Sequence, residues 1–218
     1  MAFFRIKKIK GIEYGYIVEN EWKGNASRQR VKGYLGKIYR FKLINDRDFL
    51  DFLGLLELDK YVQENDPKKI ITDLIDWELW RFGINKLDFL IDYKNLIIQK
   101  SGRKVTLAVN GGFLCDCTLK NLLDFKPVGD QKTVAYRLAR AFVESGIKVP
   151  YDIFASIFQK LLSLPLGSPV RTQRVWAILF IVRCLFCSVK NVISADKKQG
   201  CANRIACFCN VFGTFNIN

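Results

Sequence analysis

The chain has 218 residues and a formal net charge of +14; half of the residues are hydrophobic and 26% are charged, the balance of a globular rather than a disordered protein. Histidine is absent, which removes the commonest general acid–base group, the commonest catalytic-zinc ligand and every serine–histidine or cysteine–histidine dyad. The charge is uneven: residues 1–42 hold 11 Lys/Arg against 3 Asp/Glu, residues 43–164 hold 17 against 17, and residues 165–218 hold 7 against 1. Two basic ends around a neutral body point to a polyanionic partner. They divide the chain into a basic β-rich module (1–42), a mixed body (43–164) and a basic, cysteine-rich apolar tail (165–218).

The opening is a series of alternating runs. In Phe3-Phe4-Arg5-Ile6-Lys7-Lys8-Ile9-Lys10 the alternation predicts a half-buried strand. Phe4, Ile6 and Ile9 then face a core, Arg5, Lys7 and Lys10 face outward, and the pattern slips near Lys8. Tyr14-Gly15-Tyr16-Ile17-Val18 reads as a second strand and the run from Ser27 to Lys37 as a third, with Gly11 and Lys23-Gly24-Asn25 as turns. The expected product is a small antiparallel sheet with one apolar and one basic face. Arg28, Arg30 and Lys32 lie two apart and so share a face of their strand, with Gln29 and Val31 on the other. The candidate nucleic-acid surface is Lys7, Lys10, Arg28, Arg30, Lys32 and Lys37, directed at phosphates. Tyr14, Tyr16, Trp22 and Tyr34 are available either to stack on bases or to pack.

Four segments of this opening carry a resemblance: Phe4-Arg5-Ile6-Lys7-Lys8, Glu13-Tyr14-Gly15-Tyr16-Ile17-Val18-Glu19, Arg28-Gln29-Arg30 and Tyr34-Leu35-Gly36-Lys37. They resemble the N-terminal segment of a group of insertion-sequence transposases, which open with a basic strand, a Y-x-Y-x-V-E strand, a turn and R-Q-R-x-x-x-x-L-G. The chain also resembles uncharacterised archaeal proteins that carry this opening without a transposase body. The resemblance covers roughly a fifth of the chain. It implies nucleic-acid contact, and not transposition, because no acidic catalytic triad within a ribonuclease-like domain follows.

In the body, Asn45-Asp46 reads as an N-cap ahead of a short helix through Asp48-Phe49-Leu50-Asp51-Phe52-Leu53, ended by Gly54. Asp66-Pro67 predicts an N-cap followed by proline at the first helical position. Ile70, Ile71, Leu74, Ile75, Trp77 and Leu79 then recur at helical spacing up to Gly83, with Asp73, Asp76 and Glu78 off the stripe. Trp77 and Trp80 read as core aromatics rather than a base-stacking pair. From Leu87 the period becomes two, giving strands over 89–93, 96–100 and 105–109. Tyr93-Lys94-Asn95 and Ser101-Gly102-Arg103-Lys104 are the turns, and Lys100, Arg103 and Lys104 make a basic tip.

Asn110-Gly111-Gly112 breaks the last of these strands, and Thr118 is the expected N-cap of a helix over 119–125. A helix from Gln131 to Ser145 is bounded by Asp130 and Gly146, and another runs from Tyr151 to Leu162. The latter carries too few Arg, Asn or Gln residues on its polar face to be a groove-reading helix.

Ser163-Leu164-Pro165-Leu166-Gly167-Ser168-Pro169 forbids a continuous helix and marks a boundary. Beyond it, the apolar run from Val175 to Val182 is shorter than the ~18–20 residues of a bilayer span and meets Arg183, which argues against a membrane segment. Cys184, Cys187, Cys201 and Cys207 or Cys209 have the number for a four-thiolate zinc site. Their apolar neighbours Leu185, Phe186 and Phe208 instead favour free buried thiols, so no cofactor is expected. Phe3 to Ile9 contains lysines and is not a secretory signal, and an odd count of 7 cysteines argues for a reducing, cytoplasmic setting.

The expectation is an α+β protein with no enzymatic activity, since no phosphate loop, nucleophile elbow or paired-carboxylate motif occurs. It would bind DNA or structured RNA, including that of the ribosome, through the N-terminal sheet. The alternatives are a protein-interaction module working through the neutral body, or a membrane-peripheral protein held by the tail.

Overall fold

The structure, a computed structural model, describes residues 2–23 and 26–162. The boundary at Ser163–Pro169, the apolar run and Cys184, Cys187, Cys201, Cys207 and Cys209 lie outside the described residues.

The fold is α+β: a sheet leads, and helices follow and pack against it. The opening forms β1 (Ala2–Ile9), β2 (Ile12–Lys23) and β3 (Ala26–Arg40), joined as antiparallel neighbours. Lys10 and Gly11 both take left-handed φ values, 49° and 83°, which gives the two-residue turn whose twist suits a hairpin. Then come α1 (Phe49–Leu53), α2 (Leu58–Glu64), α3 (Pro67–Arg81), β4 (Leu90–Asp92), β5 (Ile97–Lys100), β6 (Arg103–Val109) and β7 (Gly112–Leu114). Three helices finish the described chain: α4 (Asp116–Leu123), α5 (Gln131–Ser145) and α6 (Tyr151–Leu161).

The strand order is β1-β2-β3-β6-β5-β4, with β7 also paired to β6. The joint is β3 with β6, a parallel pairing from Lys37↔Val105 to Arg40↔Ala108. Parallel neighbours need a long connection, and here it holds three helices and the β4–β5 hairpin. The Thr106 hydroxyl locks the joint by donating to the Leu35 carbonyl at 2.9 Å. The basic opening strands and the hairpin of the body therefore belong to one sheet.

That sheet is rolled. Phe4 on β1 and Phe113 on β7 stack at 4.3 Å with an 11° interplanar angle. Four strand steps at ~4.8 Å would hold them ~19 Å apart in a flat sheet. Curvature comes from irregularities in the β2–β3 ladder between Gly15 and Tyr16 and between Ile17 and Val18. Two glycines make room. Gly36 has φ 94° and a Cβ there would lie 2.0 Å from the Lys104 carbonyl oxygen; at Gly15 it would lie 3.0 Å from the Phe4 ring.

The helical core centres on α3, which packs against α1, α4 and α6 and buries Ile70, Ile71, Leu74, Ile75, Trp77 and Leu79. Asp66 caps it by accepting from the Lys69 N–H at 2.7 Å, with Pro67 next. Two of its acids are not off the stripe: Asp73 and Glu78 are buried. Burial is tolerated because each carboxylate is paired. Asp73 accepts from the Tyr61 hydroxyl at 2.7 Å and from Lys69 at 2.5 Å. Glu78 accepts from Arg81 at 3.0 Å and from Asn110 at 2.8 Å. The desolvation of Glu78 outweighs these partners and raises its pKa above 4.5. Trp77 is buried and its indole donates to the Arg47 carbonyl, while Trp80 lies against Phe52, so both are packing residues.

Local corrections follow the same logic of satisfied backbone groups. The N-cap of α1 is Asp48, not Asn45 or Asp46. Ser101 and Gly102 alone make the β5–β6 turn, with φ 50° and 72°, so Arg103 and Lys104 are strand residues. Asn110 and Gly111, with φ 48° and 79°, do not end the sheet but turn it into β7. Cys115, not Thr118, caps α4; the Thr118 hydroxyl reaches back to accept the Cys115 N–H at 2.9 Å. Ile9 does not share a face with Phe4 and Ile6, because the β1–β2 register is unbroken, and both isoleucines are exposed.

Candidate nucleic-acid interface

Residues paired across a ladder point to the same side of a sheet, and neighbours along a strand point to opposite sides. The register thus sorts the opening strands into two faces. The inner face carries Phe4, Ile6 and Lys8 on β1, and Glu13, Gly15, Ile17, Glu19 and Glu21 on β2. The outer face carries Arg5 and Lys7 on β1, Tyr14 and Tyr16 on β2, and Tyr34, Lys37 and Tyr39 on β3. It continues to Arg103, which pairs with Lys100 across the hairpin. All 3 acids of residues 1–42, Glu13, Glu19 and Glu21, are on the inner face.

Those acids stand among the inner cations. Lys32 meets Glu19 at 2.9 Å and Arg40 meets Glu13 at 2.8 Å. Arg30 lies opposite Glu19 and Arg28 opposite Glu21. The hydrogen bond and charge of Lys32 hold the Glu19 carboxyl below its usual range.

On the outer face the partners are rings. The Tyr34 ring centroid is 5.4 Å from Tyr16 and 6.3 Å from Tyr14, both tilted rather than stacked. Lys7 sits over Tyr16 at 5.2 Å, Lys37 over Tyr39 at 4.8 Å, and Lys100 over Tyr39 at 5.4 Å and Phe89 at 4.4 Å. Partial burial, and then the adjacent Tyr16 and Tyr14 phenols, raise the Tyr34 pKa, so its hydroxyl stays protonated and able to donate. Among the described residues none of Arg5, Lys7, Lys37, Lys100 and Arg103 forms a salt bridge. Cation–ring contacts leave the charge free to meet an anion as well.

Of the sequence-derived candidates, Lys7 and Lys37 stand together beside the tyrosines. Arg28, Arg30 and Lys32 stand on the opposite side with the acids, and Lys10 is in the β1–β2 turn. Arg5, Lys100 and Arg103 were not among those candidates and join Lys7 and Lys37. A two-residue turn at Ser101-Gly102 is the signal that places Lys100 opposite Arg103. Lys104, assigned to the same basic tip, points the other way and pairs with Asp116 at 2.9 Å.

Among the described residues no group of His, Cys, Asp and Glu has the arrangement of a metal site. Cys115 is buried, and burial raises its thiol pKa, which makes it a packing residue rather than a nucleophile. No described helix is long and apolar enough to cross a membrane.

No family model matches the chain. No solved structure matches it either. A stretch of the chain is similar to the iron-regulated protein FrpA of Neisseria meningitidis serogroup C, 32% identical over 71 residues. The match covers 33% of this chain and 6% of that protein.

Proposed function

We propose that this is a non-enzymatic, cytoplasmic nucleic-acid-binding protein that holds a polyanionic strand on the outer face of its N-terminal sheet. One observation carries the reading: five cations and a group of tyrosines share a face without a carboxylate, while every acid of the opening strands lies on the other face. Arg5, Lys7, Lys37, Lys100 and Arg103 take phosphates and release their counterions; the tyrosines supply ring surface. The transposase-like opening favours the same class of partner.

The test is anisotropy titration of the full chain with labelled nucleic acids at several salt concentrations. The expected result is affinity that falls linearly in log–log form with salt. Affinity that is absent, or indifferent to salt, would refute the proposal.

A further inference from the structure

Resting on that reading, we propose that the outer face takes an unpaired RNA strand, with bases on the rings of Tyr14, Tyr16 and Tyr34 and ribose 2′-hydroxyls on their phenol oxygens.

Three observations lead there. The first is shape. The residues concerned lie on the surface of a sheet, on β1, β2, β3, β5 and β6, with Tyr34 at their centre and 47% exposed. In a duplex the base faces are hidden in the stack, so rings on a sheet can engage only bases that are unpaired.

The second is the order of charges and rings across the sheet. Arg5 and Lys7 stand on β1, the tyrosines on β2 and β3, and Arg103 and Lys100 on β6 and β5. From β1 to β5 is four strand steps, ~19 Å along the sheet. A strand crossing the sheet therefore meets cations, then rings, then cations, which is the pattern that holds a backbone at both ends while its bases stack between.

The third concerns the hydroxyls. Tyr61 and Tyr93 donate to Asp73 and Asp76 inside the protein. The hydroxyls of Tyr14, Tyr16 and Tyr34 have no hydrogen-bond partner within the described chain. A protonated phenol both donates and accepts. The 2′-hydroxyl of ribose does the same, and deoxyribose lacks it.

The experiment uses the full chain and fluorescence anisotropy with three probes of one mixed, unstructured sequence, roughly 12 nucleotides long, within the ~4–16 range of single-strand sites. The probes are RNA, the matching single-stranded DNA and the matching DNA duplex. RNA should bind about tenfold more tightly than either DNA form, the scale of one or two net hydrogen bonds. Tyr34→Ala should weaken RNA binding about 5- to 150-fold, the loss of one stacked base. The triple variant Tyr14→Phe, Tyr16→Phe, Tyr34→Phe keeps the rings and should retain single-stranded DNA affinity while losing the RNA advantage.

Equal affinity for RNA and single-stranded DNA in the unmodified chain would overturn the choice of RNA. Duplex binding as tight as single-strand binding, or RNA affinity unchanged in Tyr34→Ala, would overturn stacking. No binding to any probe by the folded protein would instead overturn the proposal of nucleic-acid binding itself. Should Tyr34→Ala fail to fold by circular dichroism, the duplex probe still decides stacking, and the phenylalanine triple, which removes only three oxygens, decides the hydroxyl contacts.

Discussion

Arg81, at the end of α3, is 4% exposed; Glu78 and Asp46 accept its guanidinium at 3.0 and 3.1 Å, and the Trp77 ring lies 4.8 Å away. Arg5, Lys7, Lys37, Lys100 and Arg103 stand on the outer face of the sheet without a carboxylate, and Lys7, Lys37 and Lys100 lie over rings. Folding accounts for the first arrangement. A guanidinium taken out of water costs several kcal/mol unless counter-charge and acceptors meet it. The second has no such cause: Arg5, Lys7 and Arg103 are exposed and Lys37 and Lys100 half-buried, and cations that keep contact with water contribute little to stability with or without a partner. The 3 acids of the opening strands are all on the other side. The polyanionic partner proposed above would account for that separation.

The sharpest way to break this contrast is to remove the five outer cations together, each to glutamine. For a single-stranded ligand the slope of log affinity against log salt should fall by about 3.5, from ~0.7 per lost contact, and affinity at low salt on the order of a thousandfold. The urea midpoint should barely move. A large fall in stability would show that these cations belong to the fold after all.

In the body the expectation is reversed. Glu78→Ala leaves Arg81 without its nearest counter-charge and should cost about 3–5 kcal/mol in urea unfolding, with nucleic-acid affinity unchanged while the protein is folded. The pH profile sharpens this. The folded-state pKa of Glu78 is raised above 4.5, so the unfolded chain releases this proton first as pH rises. The stability contributed by protonated Glu78 is therefore full below 4.5 and is lost as pH rises through the folded-state pKa. Glu78→Gln should lack that fall between acidic and neutral pH, and a parallel profile for both chains would contradict the assignment.

Two glycines three residues apart in β3 probe the joint between the regions. Gly36→Ala puts a Cβ against the Lys104 carbonyl at a φ of 94° and should destabilise by roughly 3 kcal/mol. At Gly33 a Cβ meets nothing within 4 Å, and Gly33→Ala should be within about 0.5 kcal/mol of the parent in thermal unfolding. Similar losses at both would mean that the roll does not depend on this contact.

The smallest effect is expected for Arg28→Gln, Arg30→Gln and Lys32→Gln combined. These cations face Glu19 and Glu21, so their loss should change the salt slope by less than ~1, against the ~2 expected of three free phosphate contacts to a single strand. A slope change as large as that of three outer cations would make the two faces equivalent.

Much of this was legible from residue order. The bounds of α3 and α5 follow from Asp66-Pro67 and from Asp130 and Gly146, because caps act within one helical turn. Two further local signals lie in the sequence. Asn110-Gly111 is a hairpin turn, and Ser101-Gly102 closes a hairpin in two residues, shifting Arg103 into a strand. The burial of Asp73 and Glu78 could not be read from spacing, because their partners Tyr61 and Asn110 come from other elements.

By itself the sequence determined that β1, β2 and β3 alternate and that Arg28 and Arg30 share a side, because alternation is set by the geometry of a single strand. It also determined the excess of positive charge at the amino end. Which cations stand with which rings was decided only by tertiary structure. The parallel pairing of β3 with β6, sealed by a hydrogen bond spanning 71 residues from Thr106 to Leu35, continues the face of Lys37 and Tyr39 to Arg103 and Lys100. The bulges and Gly36 roll that sheet. Pairings so distant depend on how the intervening helices pack, and no local pattern encodes them.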